Sequence, residues 1–241
     1  MNPLIPHAGA KQRLESFKND ISAVYPELLS LIAYGSAVGE SFSEKVSDVN
    51  LLLVLPRLDA AVLERGADTL RRHWKKSRIL PVIFSEQELR DSLDVFAIEF
   101  SEIRERHVVL KGADILETLV IPGTWLRHQC EFELRSKVLG LRRGFIEHLS
   151  DEKRLKELLT RALSGVLPLG RTMLRLAAEK PPHAPRELIQ ALARRYEFPE
   201  QPWMEVLALR EGAGASRPAR VLFGEFLSSV DGLTRRLNDA L

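Results

Sequence analysis

The chain has 241 residues, 45% hydrophobic and 28% charged, enough to bury a sizeable core as one large domain or two small ones. No apolar run approaches the roughly 20 residues that span a bilayer, and Met1 to Pro6 lack a signal-peptide pattern. A single cysteine, Cys130, excludes a disulfide framework and any multi-cysteine metal site. A cytoplasmic protein is expected. The net formal charge of +2 is unevenly placed: residues 1–121 carry 15 Lys+Arg against 18 Asp+Glu, a net of −3, and the remainder 20 against 15, a net of +5. Dispersed charge of this kind reads first as solvated helix surface and second as a surface for an anionic partner such as RNA.

Leu14, Phe17, Ile21 and Val24 recur at helical spacing and predict an amphipathic helix from Ala10 to Tyr25, closed by Pro26. Leu28 to Tyr34 and Leu51 to Leu55 are near-continuous apolar runs, as in strands covered on both faces. Between them, Tyr34-Gly35-Ser36 ends the first run and opens a short helix. Backbone N–H groups and a hydroxyl gather there. Leu58 to Lys76 predicts a second helix with a basic last turn suited to the helix dipole. Arg78 to Phe84 reads as a third strand, and Ser85-Glu86-Gln87-Glu88 has the form of a capping box opening a short helix. Asp94 to Phe100 reads as strand-like, and His107 to Leu110 as a last short strand before Lys111-Gly112.

After Ile121-Pro122-Gly123 the strand signals stop. Helical patterns follow over about 124–149, 152–179, 185–196, 203–210 and 218–241, with breaks at Pro181-Pro182, Phe198-Pro199 and Glu211 to Ser216. Pro168 and Gly170 predict a kink or split in the second of these. The fold class expected is α+β: a mixed sheet flanked by helices over residues 1–121, then an all-α helical bundle over 122–241 that binds an acceptor or partner.

Twelve positions after Ser36 come Asp48 and Asn50, two apart on a strand and so on one face, with Val49 turned into the core. This pairs hard oxygen ligands with a phosphate cradle. Asp48 also suits a turn or strand-start cap, and Asn50 a backbone-satisfying role. The frame Gly35-Ser36…Asp48-Val49-Asn50 resembles the nucleotidyltransferase superfamily typified by DNA polymerase beta, which includes kanamycin nucleotidyltransferase. The sequence departs from it in one place, carrying Asp-x-Asn where the family has Asp-x-Asp.

The resemblance implies that Gly35 and Ser36 hold the triphosphate of an NTP and that strand acids hold Mg²⁺. It also implies NMP transfer to a hydroxyl of a small molecule, protein or RNA. It places Asp48 and Asn50 as metal ligands and catalytic residues, and it asks for a third acid from a neighbouring strand. Glu99, set between Ile98 and Phe100, is the candidate for that third acid, with Glu102 and then Asp94 behind it. Asn50 supplies an amide oxygen but no charge, so it weakens the second of two closely spaced cations most. The alternative is a catalytically silent nucleotide- or partner-binding protein of the same fold, or a toxin–antitoxin-type module. Lys45 and the Arg104-Glu105-Arg106-His107 cluster are further phosphate-reaching candidates. Arg143 and His148 match a loose Arg…His spacing of HEPN-type ribonucleases, a spacing that also arises by chance. Cys130, with no base beside it in sequence, reads as an inert thiol.

Overall fold

The computed structural model describes residues 8–38, 49–79, 81–213 and 217–239, and divides into two compact units, Met1–Ile121 and Pro122–Leu241.

In the first unit, α1 (Ala8–Val24) buries Ala10, Leu14, Phe17 and Ile21 along one face. It leads into β1 (Ser30–Tyr34), a 3-10 turn (Gly35–Val38), β2 (Asn50–Leu55) and α2 (Ala60–Ser77). β3 (Val82–Ser85), α3 (Glu86–Asp91), α4 (Ala97–Glu105), β4 (His107–Gly112) and a second 3-10 turn (Ile115–Thr118) complete it. The sheet order is β3-β2-β1-β4. β2 and β3 are parallel, while β1 runs antiparallel to both β2 and β4.

Both faces of this mixed sheet are covered, as the apolar runs require. Leu31, Ala33, Leu51, Leu53 and Leu55 face α1 and α2, packing with Leu14, Phe17, Ile21 and Leu70. Ile32, Leu52 and Val54 project the other way, onto Leu89, Leu93, Phe100 and Ile103 of the α3–α4 segment. Asp59 caps α2 by accepting from the Val62 N–H at 2.8 Å. The Tyr25 hydroxyl donates to the Val62 carbonyl at 2.9 Å, tying the end of α1 to the start of α2. Farther along, His73 lies 2.9 Å from Asp20 and edge-on to Phe17. The expected capping box is present: Ser85 accepts from the Glu88 N–H, and Glu88 accepts from the Ser85 N–H.

One element differs in kind from its expectation. The segment read as a strand over 94–100 is helical from Ala97, as α4. Ala97, Ile98, Phe100, Ser101 and Ile103 are all buried, so the helix is apolar over most of its circumference and lacks the contrast that marks an amphipathic period.

Among the described residues the second unit has five helices: α5 (Gly123–Glu147), α6 (Glu152–Leu176), α7 (Pro185–Tyr196), α8 (Gln201–Arg210) and α9 (Ala219–Asp239). α6 packs against each of the other four and buries Leu155, Leu159, Leu163, Val166 and Met173. It runs through Pro168 as one helix rather than splitting there. An aromatic cluster of Phe198, Trp203 and Phe226 closes the α7–α8–α9 end.

Candidate nucleotide site

The register of the sheet brings three strand ends to one place. Tyr34, last in β1, pairs with Asn50, first in β2, and on its other side with His107, first in β4. These three lie in a row across the sheet. By alternation they share the face of Ile32, Leu52 and Val109, the face that α4 covers. Asn50 is exposed, while Leu51 to Leu55 behind it are buried. Val49 is buried as expected and is clamped to the neighbouring segment, its N–H donating to the Arg78 carbonyl at 3.3 Å. Burial pushes the Tyr34 phenol up from its ordinary pKa, so it stays a hydroxyl donor at neutral pH.

Gly35 follows directly, with φ of +72°, a conformation glycine adopts without steric penalty. A Cβ at this position would lie 2.8 Å from the Asn50 side-chain amide. The glycine therefore serves two ends: it turns the chain, and it lets the Asn50 amide lie against the turn. The helix expected after it is a single 3-10 turn of four residues. It is too short to carry a helix dipole, so any anion contact here rests on local N–H groups and hydroxyls. Val38, at the end of the turn, is buried, and its carbonyl accepts from Arg106 Nε at 3.2 Å.

The structure thus brings Gly35 and Asn50 into contact. Asp48, Lys45 and the Ser36 side chain lie outside the described residues. Glu99 sits in the first turn of α4, exposed, rather than on a strand beside β2, and the strand-adjacency argument for it falls away. Its helix still covers the Asn50 face. Along α4, Glu102 follows Glu99 by three positions and so shares its side of the helix. Arg106 follows the helix as its extended C-cap, and its guanidinium meets the glycine turn. Asp94 is exposed in the turn before α4.

Of the basic cluster, Arg106 alone bonds to the turn among the described residues. Arg104 donates to the Leu119 carbonyl at 3.0 Å. His107 has one ring nitrogen 2.8 Å from Asp114 and the other 3.1 Å from the Arg104 carbonyl. Sequence alone gave Arg106 no priority over its neighbours. Its signal was position, directly before the strand that pairs with Tyr34.

In the helical unit, a cleft of about 820 Å³ is lined by Phe198, Arg217, Glu225, Ser228, Arg235 and Arg236, among others. Its cations are compensated: Arg217 is held by Glu205 and Glu225, Arg235 by Asp231, and Arg236 donates to the Glu197 carbonyl. Arg143 is exposed on α5 and His148 ends that helix as its C-cap. Positions five apart on a helix diverge by about 140°, so the two do not converge. Cys130 is buried, its thiol pushed up to about 12 mainly by that burial, and is no nucleophile at neutral pH.

No family model matches this sequence, and no curated protein matches it. Solved structures do. Spectinomycin adenyltransferase AAD(9) from Enterococcus faecialis, determined with ATP and spectinomycin, superposes with a TM-score of 0.56 at 14% identity, over 92% of this chain and 99% of that one. The fold is that of a nucleotidyltransferase. A nucleotidyltransferase-like protein from Exiguobacterium sibiricum 255-15 is also similar, at 17% identity and a TM-score of 0.39, over 93% of this chain and 74% of the other. In this nucleotidyltransferase fold, the Gly-Ser turn and the start of β2 are where the sequence motif falls. No helix among the described residues is long and apolar enough to cross a membrane.

Proposed function

We propose that the first unit binds an NTP at the Gly35–Ser36 turn and transfers its NMP group to a hydroxyl acceptor. The observation that carries this reading is the contact between Gly35 and the Asn50 amide at the meeting of three strand ends. A turn free of side chain and a polar strand start share one spot, in a fold whose solved relative holds ATP. In the transfer, the acceptor hydroxyl gives up its proton to solvent and its oxygen forms a bond to the α-phosphorus as the bond to the bridging oxygen breaks, releasing pyrophosphate. The protein's part is positioning and electrostatics.

The donor set proposed for Mg²⁺ is the Asp48 carboxylate, the amide oxygen of Asn50 and the carboxylate of Glu99, with Glu102 behind it, all hard oxygen ligands; among the described residues no three acids, histidines or cysteines cluster as a metal site. Bound there, Mg²⁺ would offset charge on the phosphates. The acceptor is a small hydroxyl-bearing molecule by analogy with the spectinomycin in the similar structure, and a protein or RNA hydroxyl is the competing class.

Titration calorimetry with Mg²⁺-ATP tests the site. Wild type should bind, and Asp48→Ala should weaken binding about tenfold or more, which is ~1.4 kcal/mol. Equal heats in both would remove the proposal. A second reading, nucleotide binding without turnover, is favoured by the neutral and exposed Asn50. The two separate on incubation with labelled NTPs and cell extract, since Asp48-dependent transfer of label excludes the silent form.

A further inference from the structure

Neither run of chain beside β2 brings a carboxylate to Asn50. On one side β1 reads Ser30 to Tyr34, and on the other the chain from Arg78 to Ser85 holds no acid. That second side brings a cation instead. Ile79 bridges to Val49 in parallel, and the Arg78 carbonyl accepts from the Val49 N–H at 3.3 Å, one residue before Asn50.

Arg78 is not the residue its backbone calls for. It ends α2 as the C-cap in the left-handed region, with φ +52° and ψ +41°, and its N–H donates to the His73 and Trp74 carbonyls. Only the backbone makes this cap, and glycine would make it without strain. The side chain is exposed, so packing does not account for it either. A strained position held by an unneeded side chain points to a use outside the fold.

A second arginine stands at the opposite corner of the same sheet end. Arg106 ends α4 directly before β4, half-buried, and its Nε donates to the Val38 carbonyl at 3.2 Å. Among the described residues that is its one side-chain bond, which leaves both Nη groups as donors beside the glycine turn. The order β3-β2-β1-β4 sets the two arginines three strand spacings apart, about 14 Å. The Gly35–Asn50 contact lies between them. The sequence at these strand ends, over 34–36, 48–50, 78–79 and 106–107, holds two arginines against one acid, Asp48.

We propose that Arg78 and Arg106 close on the phosphates of the nucleotide from the two sides of the Gly35–Asn50 contact, so that the triphosphate binds without a divalent cation. Guanidinium forks match phosphate oxygens two at a time and stay charged at any physiological pH. A carboxylate at position 50 would compete for those forks; the neutral amide does not. The inference rests on the nucleotide reading of this turn and names what offsets the phosphate charge there.

Titration calorimetry of the full chain with ATP in excess EDTA, and again with Mg²⁺, is the test. Wild type should bind in EDTA within about tenfold of its affinity in Mg²⁺, and inorganic tripolyphosphate should compete. Arg78→Gly relieves the left-handed cap, so it should melt at or above wild type and yet lose about tenfold in affinity in EDTA. A purely structural role would move both readouts together. Arg78→Lys keeps the charge and should lose less, and Arg106→Gln should also bind more weakly in EDTA with its melting curve unchanged. Binding that requires Mg²⁺, that tripolyphosphate does not displace, or that either arginine variant leaves unchanged overturns this inference while the nucleotide site stands. No heat under either condition overturns both.

Discussion

The sheet of the first unit and helix α5 of the second break their own patterns in opposite senses. β2 is buried from Leu51 to Leu55 and breaks that pattern with an exposed amide at Asn50. α5 packs one apolar face and then carries a second, exposed one. Neither departure helps its own unit fold: a strand start tolerates many residues, and exposed Phe132 or Ile146 gains nothing from solvent. A residue the fold does not require is free to vary, and Asn50 stands where the proposed nucleotide site falls.

The largest expected effect breaks the sheet side of that contrast. Gly35→Val places a branched side chain at φ +72° and against the Asn50 amide. Backbone strain of this kind costs about 1–3 kcal/mol, and the displaced turn should lose Mg²⁺-ATP affinity by about 100-fold, read by calorimetry beside a urea melt. Adding Asn50→Ala should recover part of the stability loss and none of the affinity. Full recovery of both would mean that position 35 is only a spacer.

Glycines sharpen the comparison between packed and open faces. Gly66 lies against the Tyr25 ring and hydroxyl, so Gly66→Ala overpacks the α1–α2 contact and should cost about 1–3 kcal/mol in urea unfolding. Gly140 on α5 meets nothing, and Gly140→Ala should raise helix stability by about 0.5–1 kcal/mol. A melt that falls instead would mean that position 140 has no room for a side chain.

A smaller change isolates Arg106. Arg106→Gln keeps a donor but removes the charge beside the Val38 carbonyl, so triphosphate affinity should fall about three- to tenfold while the melting curve holds. Lysine at 106 should restore most of the affinity if charge is what counts. Equal binding in all three forms would make Arg106 a tie for the turn and nothing more.

Much of this architecture is legible from periodicity, and the reasons for the exceptions are physical. The bounds of α1, α2 and α7 follow from apolar spacing and breakers, because each has one wet face. α4 does not: Phe96, Ile98 and Phe100 alternate like a strand, and only the need to cover Ile32, Leu52 and Val54 decides for a helix. The closeness of Gly35 and Asn50 was legible because the strand–turn–strand pattern that joins them is local. Arg106 reaches the turn through a pairing between β1 and β4 that joins positions about seventy residues apart, which no local pattern encodes. On α5, both apolar faces are present in the sequence. Which of them packs is settled by α6 and α9, against which α5 lies.

The smallest expected effect compares the two units by acid. Hydrogen bonding to His73 holds the Asp20 carboxyl below its ordinary 3.8, with the Arg72 charge adding to it and burial opposing. In the second unit, the Ala219 N–H donating to Glu152, with Lys156 nearby, holds that carboxyl below its ordinary 4.5. A carboxylate with a lowered folded pKa contributes stability that is fully present above its unfolded value and lost as pH falls through the folded one. Thermal stability should therefore be level near pH 6 and decline below about pH 4.5, with protons taken up on unfolding. Both carboxylates are largely exposed, so each share is small and screened by salt. Asp20→Asn should flatten the acid limb for the first unit, and Glu152→Gln for the second, in melts followed by Trp74 and Trp203 in single-tryptophan backgrounds. An acid limb that steepens in either variant would mean that the carboxylate is destabilising where it stands, reversing the sign assigned to it.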